Sequence, residues 1–124
     1  MEHKVTWNDG CVVVKTHGVG TLEGLNAMMS SILGHEQWRP GGRLLVDHSE
    51  FDAGQLTLAG IRAVADAAAR ARDRVGPARI AHLVSRDLEF GLVRMWENFV
   101  ERQWDASMRC FRSRDEAITW LKEA

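Results

Sequence analysis

Three neighbouring side chains in the stretch WRPGGRLLVDHSEFDAG, residues 38–54, could do chemistry together. Asp47, His48 and Ser49 follow one another at the end of a short apolar run. A carboxylate, an imidazole and a hydroxyl are the groups from which hydrolases build an orienting residue, a base and a nucleophile. The sequence therefore raises the question whether these residues form a catalytic triad or the polar rim of a buried sheet.

The geometry of an extended strand argues against the triad. Successive side chains point to opposite faces, so Asp47 and Ser49 face one way and His48 the other. A relay needs all three groups within mutual hydrogen-bond reach, which consecutive strand residues do not provide. We expect the carboxylate and the hydroxyl to bind backbone donors at the carboxyl edge of the sheet. Because ligands of open α/β sheets bind at that edge, the three residues remain the best polar candidates for a ligand site.

The glycines after the second predicted strand form a weaker motif. Gly18, Gly20 and Gly24 lie between a strand and a helix, as in a dinucleotide-binding fingerprint, but the third glycine comes one residue late. We interpret this segment as a glycine-rich turn that leaves Thr21 free to cap the next helix.

Metal and cofactor chemistry find no support in the residue spacing. The histidines show no H-x-x-x-H or similar ligand spacing, since they stand at positions 3, 17, 35, 48 and 82. Cys11 and Cys110 lie far apart without a C-x-x-C motif, which is typical of buried thiols in a reducing compartment. We expect no metal, no cofactor and no catalytic residue.

Length, charge and hydropathy limit the classes of protein to consider. The chain has 124 residues, enough for one domain with one core. Its formal net charge of −1 gives no electrostatic reason to expect nucleic acid as a partner. No apolar run approaches the ~20 residues that span a bilayer, and the opening MEHKVTWN lacks the hydrophobic region of a signal peptide. We predict a single cytoplasmic domain over residues 1–124, without a membrane span.

Turn and cap residues divide the chain into strands and helices in the order ββαβαβαβα. Asp9 and Gly10 separate two β-like runs, which predicts a hairpin. A short strand, RLLVD, is predicted over residues 43–47, and a helix from about Leu58 to Arg74. Strands that alternate with long helices favour an α/β fold with a mixed, mostly parallel sheet of four to five strands and about four helices.

The helix predicted from Leu88 to about Gln103 is apolar over about half of its circumference, more than the stripe of ~100° that a one-sided helix needs. Beside the stripe that faces the sheet lies a second one, formed by Val93, Trp96, Val100 and Trp104. Three partners could cover it: a terminal helix carrying Trp120, a homodimer or other protein partner, or an apolar ligand in a cavity. We assign the second stripe as a candidate interface.

Four segments together resemble the SpoIIAA-like proteins, a group of small bacterial STAS-like domains. The segments are GVGTLEGL, WRPGGRLLVDHSEFD, RIAHLVSRDLEFGLVRMWENFVE and FRSRDEAITWL, and they cover nearly the whole chain. The resemblance implies a sheet of four or five strands with helices, similar to anti-sigma-factor antagonists and more distantly to Sec14-type lipid-exchange domains. It points to switching and binding rather than to a particular chemistry.

The sequence departs from these relatives at the residue that regulates them. Anti-sigma-factor antagonists are switched by phosphorylation of a serine in a D-S-x-G-L type turn. The corresponding stretch is DAGQL, residues 52–56, which places Ala53 at the phosphoacceptor position. Ser49 and Thr57 are the nearby hydroxyls that a retained switch would use, with phosphate near a helix N-terminus.

Two functions are consistent with these observations. The first is a non-enzymatic regulatory or protein-interaction module that resembles anti-sigma-factor antagonists without the usual phosphoacceptor serine. The second is a carrier of a small apolar or lipid-like ligand or, less favoured, an enzyme that uses Asp47 and its neighbours. The first is preferred, because no acid–base pair, metal set or phosphate cradle stands out. A deep, dry pocket between the sheet and the Leu88 helix would reverse the order.

Overall fold

The computed structural model describes residues 1–123, and within them the expected alternation of strands and helices is present with one additional short helix. The elements are β1 Glu2–Asn8, β2 Cys11–Val19, α1 Leu22–Leu33, β3 Arg43–Asp52, α2 Leu58–Ala69, α3 Arg72–Val75, β4 Arg79–Leu83, α4 Asp87–Val100, β5 Ser107–Phe111 and α5 Arg114–Lys122.

The five strands of this part of the chain form one sheet in the order β1-β2-β3-β4-β5. Strands β1 and β2 are antiparallel, and every other neighbouring pair is parallel. The hairpin between β1 and β2 turns at Asp9 and Gly10, whose φ angles of 53° and 81° match the positive values that a tight hairpin requires. The predicted α/β architecture with a mixed, mostly parallel sheet is confirmed.

Strand β3 is twice as long as the predicted strand RLLVD. It continues to Asp52 because β2 remains paired with it beyond a bulge, up to the pair Val19 and Asp52. The bulge lies between Lys15 and His17. The polar residues at 47–49 therefore lie within a strand rather than at its end.

The helix predicted over residues 58–74 is divided into α2 and α3. After Ala69 the chain bends, and two carbonyl oxygens of the last turn bind the loop after α1. The indole Nε1 of Trp38 donates to the Arg74 oxygen at 2.9 Å, and the Gly41 amide donates to the Val75 oxygen at 2.9 Å. These contacts stabilise a separate short turn instead of a continuous helix.

The helices divide between the two faces of the sheet. We call the face that packs on α1, α2 and α4 the inner face, and the face that packs on α5 the outer face. The inner core contains Val12, Val14, Met28, Ile32, Trp38, Leu44, Val46, Ala65, Ala68, Val75, Ala78, Ile80, Val100 and Trp104. The outer core is smaller and contains Cys11, Val13, Leu45, Ala81, Leu83, Phe111, Ala117 and Leu121.

Hydroxyl caps fix where three of the helices begin. The side-chain oxygens of Thr21, Thr57 and Ser113 accept hydrogen bonds from backbone amides three residues later, at 3.0, 3.0 and 3.3 Å. Each cap satisfies one of the amides that the first turn of a helix leaves without a partner. The caps thus set the rim of the inner face, where α1 and α2 begin.

Candidate ligand-binding site

A cavity of about 90 Å³ lies between the inner face of the sheet and helices α1, α2 and α4. Its wall is almost entirely apolar and includes Met28 and Ile32 from α1, Val46 and Ile80 from the sheet, and Leu92 and Val93 from α4. Most core side chains pack without voids larger than a water molecule, so a cavity of this size is a distinct feature of the fold.

The volume limits what the cavity can hold. It is several times the ~10–15 Å³ that one water needs, and within a factor of two of the ~150 Å³ of an engineered apolar cavity that binds benzene. It is well below the ~300–1,000 Å³ typical of sites for drug-sized ligands. The cavity therefore matches a molecule of about one small ring.

Two histidines supply polar groups to this apolar wall. His82 lies in a row of paired inner-face residues, Val14, Val46, His82 and Cys110, which crosses strands β2 to β5. His48 stands two residues after Val46 and so faces the same side. Their rings are nearly parallel, with an interplanar angle of 9° and centroids 6.5 Å apart. Both are buried and line the cavity.

His48 is held in place by Thr16 of the neighbouring strand. Its Nδ1 lies 2.6 Å from the Thr16 hydroxyl oxygen, and that hydroxyl also lies 3.3 Å from the Asp47 carbonyl oxygen. Burial, assisted by the nearby His82, lowers the pKa of His48 to about 3. The imidazole is therefore neutral throughout the physiological pH range.

His82 is oriented by a carboxylate from α4. Its Nδ1 donates to Glu97 Oε2 at 2.7 Å, and both side chains are about 5% exposed, at 6% and 5%. Because a carboxylate only accepts, Nδ1 carries a ring hydrogen. Among residues 1–123, no side chain or backbone group hydrogen-bonds to Nε2 of either histidine.

Trp96 places a hydrogen-bond donor beside these rings. Its ring lies edge-on to His82 at 5.5 Å and to Trp104 at 5.4 Å. The Trp96 Nε1 atom is buried, and no group of the described residues accepts from it. The Trp104 Nε1, by contrast, donates to the Ala68 carbonyl oxygen at 2.8 Å. The sequence predicts Trp96 as part of an apolar stripe, and no sequence pattern indicates that its N–H lacks an acceptor.

Glu89 lies in the cavity wall and joins α4 to the loop after β3. It is 1% exposed, and its Oε2 accepts from the Ala53 amide at 2.9 Å. Arg86 donates to both of its oxygens at 2.8 Å. Although burial raises the pKa of Glu89, the hydrogen bonds from Arg86 and Ala53 outweigh burial and hold it below its usual value.

The three consecutive polar residues of the sequence divide between the two faces, as the alternation of a strand predicts. His48 enters the cavity, whereas Asp47 Oδ1 accepts from the amide and hydroxyl of Ser49 at 3.0 and 2.6 Å. Asp47 Oδ2 accepts from Arg114 at 3.1 Å. Burial opposes ionisation of Asp47, but the bonds from Ser49 dominate and lower its pKa. No triad is assembled by these residues.

The hydroxyls considered for a phosphoswitch already have partners. The Ser49 hydroxyl donates to Asp47, and the Thr57 oxygen caps α2. Ala53, at the position of the phosphoacceptor, is 2% exposed and carries only a methyl group. The loop around Ala53 is therefore tied to Glu89 rather than free to present a hydroxyl.

The second apolar stripe, which begins on α4, is covered within the chain at Val100 and Trp104 and in part at Val93 and Trp96. Val100 and Trp104 are 0% and 5% exposed, so they belong to the inner core and are not available as an interface. Val93 and Trp96 are half-buried and line the cavity. The partner that covers the stripe is α2 with the sheet, not the terminal helix, because Trp120 packs on Phe111 at the outer face.

The cysteines play no part in the cavity. Cys11 is buried in the outer core, and Cys110 is half-buried. Burial, assisted by the charge of Glu97, raises the pKa of the Cys110 thiol to about 12, which makes it a poor nucleophile. Within residues 1–123, no three metal-ligating side chains are grouped, and no helix has the length and apolar character needed to cross a membrane.

Comparison with solved structures identifies the fold. The chain is similar to the crystal structure of an uncharacterized protein from the DUF3478 family with a SpoIIAA-like fold, from Shewanella loihica PV-4. The TM-score is 0.62 at 19% sequence identity, and the match covers 97% of this chain and 92% of the other. No family model and no curated protein matches the sequence. The SpoIIAA-like fold expected from the sequence is therefore confirmed, and the comparison shows the fold alone.

Proposed function

We propose that this protein binds and carries a small, largely apolar molecule of about one ring in the cavity between the sheet and α4. The observation that carries the proposal is the cavity itself, which is the feature that distinguishes a carrier from an interaction module. Its wall is apolar, and its few polar groups are fixed by neighbouring residues. Apolar walls with a few oriented polar groups are typical of small-molecule sites.

The alternative functions have less support. A protein-interaction module would dock through the second stripe of α4, but Val100 and Trp104 are buried in the inner core. A phosphoswitch would need a hydroxyl where Ala53 stands. An enzyme built on residues 47–49 would need His48 beside Asp47, whereas the two side chains lie on opposite faces. The cavity is also too small for the lipid-like ligand considered from the sequence.

The size of the ligand sets the expected affinity. A ligand of six or seven heavy atoms gains between ~0.3 and ~1.5 kcal/mol per atom. Taking about 0.7–0.9 kcal/mol per atom, near the middle of this range, we expect a dissociation constant on the order of 0.1–1 mM for an unsubstituted ring such as benzene. A natural ligand with better placed polar groups would bind more tightly.

Benzene is the direct probe of this proposal. Ligand-observed NMR titration should show saturable binding to the folded protein, and Val93→Phe, which fills part of the cavity, should weaken it at least about tenfold. Met95→Phe is the matched control, because Met95 lies on the same helix outside the cavity wall. The absence of saturable benzene binding, or equal binding by the two variants, would overturn the proposal.

A further inference from the structure

His48 brings a polar atom without a protein partner to the apolar wall of the cavity. The residue is 5% exposed and lines the cavity, and of its two ring nitrogens only Nδ1 has a hydrogen-bond partner among residues 1–123. Of the unpartnered side-chain nitrogen and oxygen atoms in the buried interior of this part of the chain, only Trp96 Nε1 is out of reach of a water-sized molecule. Nε2 of His48 is therefore within reach, and the cavity is the space that its ring lines.

The contacts of Thr16 determine which ring nitrogen of His48 carries the hydrogen. The bulge of β2 lies at this residue, whose hydroxyl oxygen is 3.3 Å from the Asp47 carbonyl oxygen and 2.6 Å from Nδ1 of His48. A hydroxyl has one hydrogen, and a carbonyl oxygen only accepts. Both contacts are hydrogen bonds only when Thr16 donates to Asp47 and Nδ1 of His48 donates to Thr16.

The neutral ring of His48 therefore presents Nε2 as an acceptor. A neutral imidazole carries a single ring hydrogen, which the contact with Thr16 places on Nδ1. Burial lowers the pKa of His48 to about 3 and so keeps the ring neutral at physiological pH. A buried acceptor without a donor is unfavourable, and an N–H or O–H group of a ligand would satisfy it.

The rest of the wall selects against a charged donor. The wall is almost entirely apolar, and a cation moves into such a site unfavourably unless a free counter-charge is present. Among the described residues, Glu89 is the carboxylate in the wall, and it already accepts from Arg86 and from the Ala53 amide. An uncharged N–H or O–H group loses much less hydration on entering the cavity than an ammonium group does.

We propose that the cavity selects an uncharged molecule of about one ring that carries an N–H or O–H donor, and that Nε2 of His48 accepts the hydrogen bond from it. This assignment rests on the proposed carrier function and names the class of ligand that the carrier takes. Pyrrole, a five-membered ring whose N–H donates, represents the class. Furan has the same ring size without a donor, and pyridine presents an acceptor instead.

Pyrrole and furan, titrated against the folded protein by ligand-observed NMR, test the donor. Pyrrole should bind about two- to tenfold more tightly than furan, the factor that one net hydrogen bond supplies. His48→Phe keeps a flat ring and removes Nε2, so it should abolish this difference, while Thr16 keeps the Asp47 carbonyl oxygen as its acceptor. Met28→Leu is the matched control, because it changes an apolar wall residue at nearly constant volume and should leave the ratio of the two affinities unchanged.

The ring ¹⁵N resonances of His48, identified by their absence in His48→Phe, test the same assignment in the wild-type protein. Without ligand, Nδ1 should show the resonance of a protonated nitrogen and Nε2 that of an unprotonated one. Pyrrole should shift the Nε2 resonance in the direction of a hydrogen-bonded nitrogen, and furan should not. A hydrogen found on Nε2, or tighter binding of pyridine than of pyrrole, would overturn the donor class.

The outcomes separate the ligand class from the carrier function. If benzene binds and the ratio of pyrrole to furan affinity is the same in the wild type and in His48→Phe, the donor class is wrong and the carrier function stands. If neither benzene nor either five-membered ring binds the folded wild-type protein, both are wrong. Thermal unfolding of each variant establishes that a lost difference reflects the contact and not the fold.

Discussion

The two faces of the sheet are built from the same strands and differ in how completely they are packed. On β3, Leu45 enters the outer core while Val46 and His48 enter the inner core. Against the outer face, α5 places the small Ala117 and the fully buried Leu121, both 0% exposed. Against the inner face, three helices surround the cavity.

The two faces differ in what their buried residues contribute to stability. The outer core consists of apolar side chains in close contact, while its polar neighbour Asp47 binds Ser49 and Arg114 at the margin. The inner face buries two histidines and two glutamates, and each of these costs free energy unless it is paired. A protein that needed only a stable core would have little reason to bury such groups. These buried polar groups support the proposal that the inner face binds a ligand.

The largest expected effect comes from breaking the polar pair of the inner face. Glu97→Ala leaves His82 buried without its acceptor and should lower the free energy of unfolding by about 3–5 kcal/mol. Urea unfolding at pH 7 measures the change. Arg94→Ala is the control: Arg94 is half-exposed and lies 3.5 Å from Glu97, so its loss should cost less than about 1 kcal/mol. Similar losses in both variants would contradict the importance of the buried pair.

The next effect in size is the pH dependence of the free energy of unfolding, in which His48 of the inner face and Asp47 of the outer face act in different pH ranges. His48 has a pKa of about 3 in the folded protein against 6.5 when exposed, so the unfolded chain binds one more proton between these values. The free energy of unfolding should therefore fall by up to about 1.4 kcal/mol for each pH unit below about 6.5. Asp47, whose pKa is lowered from 3.8, contributes stability above about pH 4 that is lost as pH falls through its folded pKa.

Two variants assign these pH windows. His48→Gln removes the titrating group and keeps an amide for Thr16, so urea unfolding should show a shallower pH dependence between pH 6.5 and 4.5. Asp47→Asn should keep the wild-type slope in that window and change the dependence only below about pH 4. A wild-type slope in His48→Gln would show that His48 does not carry the effect.

The smallest effect concerns the two neighbouring tryptophans. Trp104→Phe and Trp96→Phe lose similar ring volume, but only the first removes an existing hydrogen bond, the one to the Ala68 carbonyl oxygen, which keeps the Ala71 amide as a donor. We expect Trp104→Phe to be less stable than Trp96→Phe by about 0.5–1.5 kcal/mol in urea unfolding. Equal stabilities would mean that the Trp96 N–H also makes a hydrogen bond in the folded protein.

The order of elements could be predicted because local signals fix it. Asp9 and Gly10 define the hairpin, and the hydroxyls of Thr21 and Ser113 cap the starts of α1 and α5, all within a few residues. The separation of His48 from its neighbours follows from strand alternation alone. These features depend on short-range geometry, which the sequence displays directly.

The features that the sequence could not predict depend on distant residues. The length of β3 depends on its pairing with β2 beyond a bulge, and the position of His48 depends on Thr16, 32 residues away. The width of the apolar surface on α4 correctly indicated a second partner. The identity of this partner depends on which face of the sheet α5 packs against. No local sequence pattern determines that face. The cavity exists because side chains from several elements do not completely fill the space between them, and the type of a single residue does not indicate this.

The row of paired inner-face residues that crosses β2 to β5 has a consequence for how such a protein can evolve. Val14, Val46, His82 and Cys110 stand side by side with backbones fixed by the sheet, while alternate residues of the same strands maintain the outer core. Two members of the row, Val46 and His82, line the cavity, so substitutions there would change its chemistry without disturbing the opposite face. Because the cavity residues and the outer-core residues alternate along the same strands, the specificity of the cavity can change during evolution while the fold is retained.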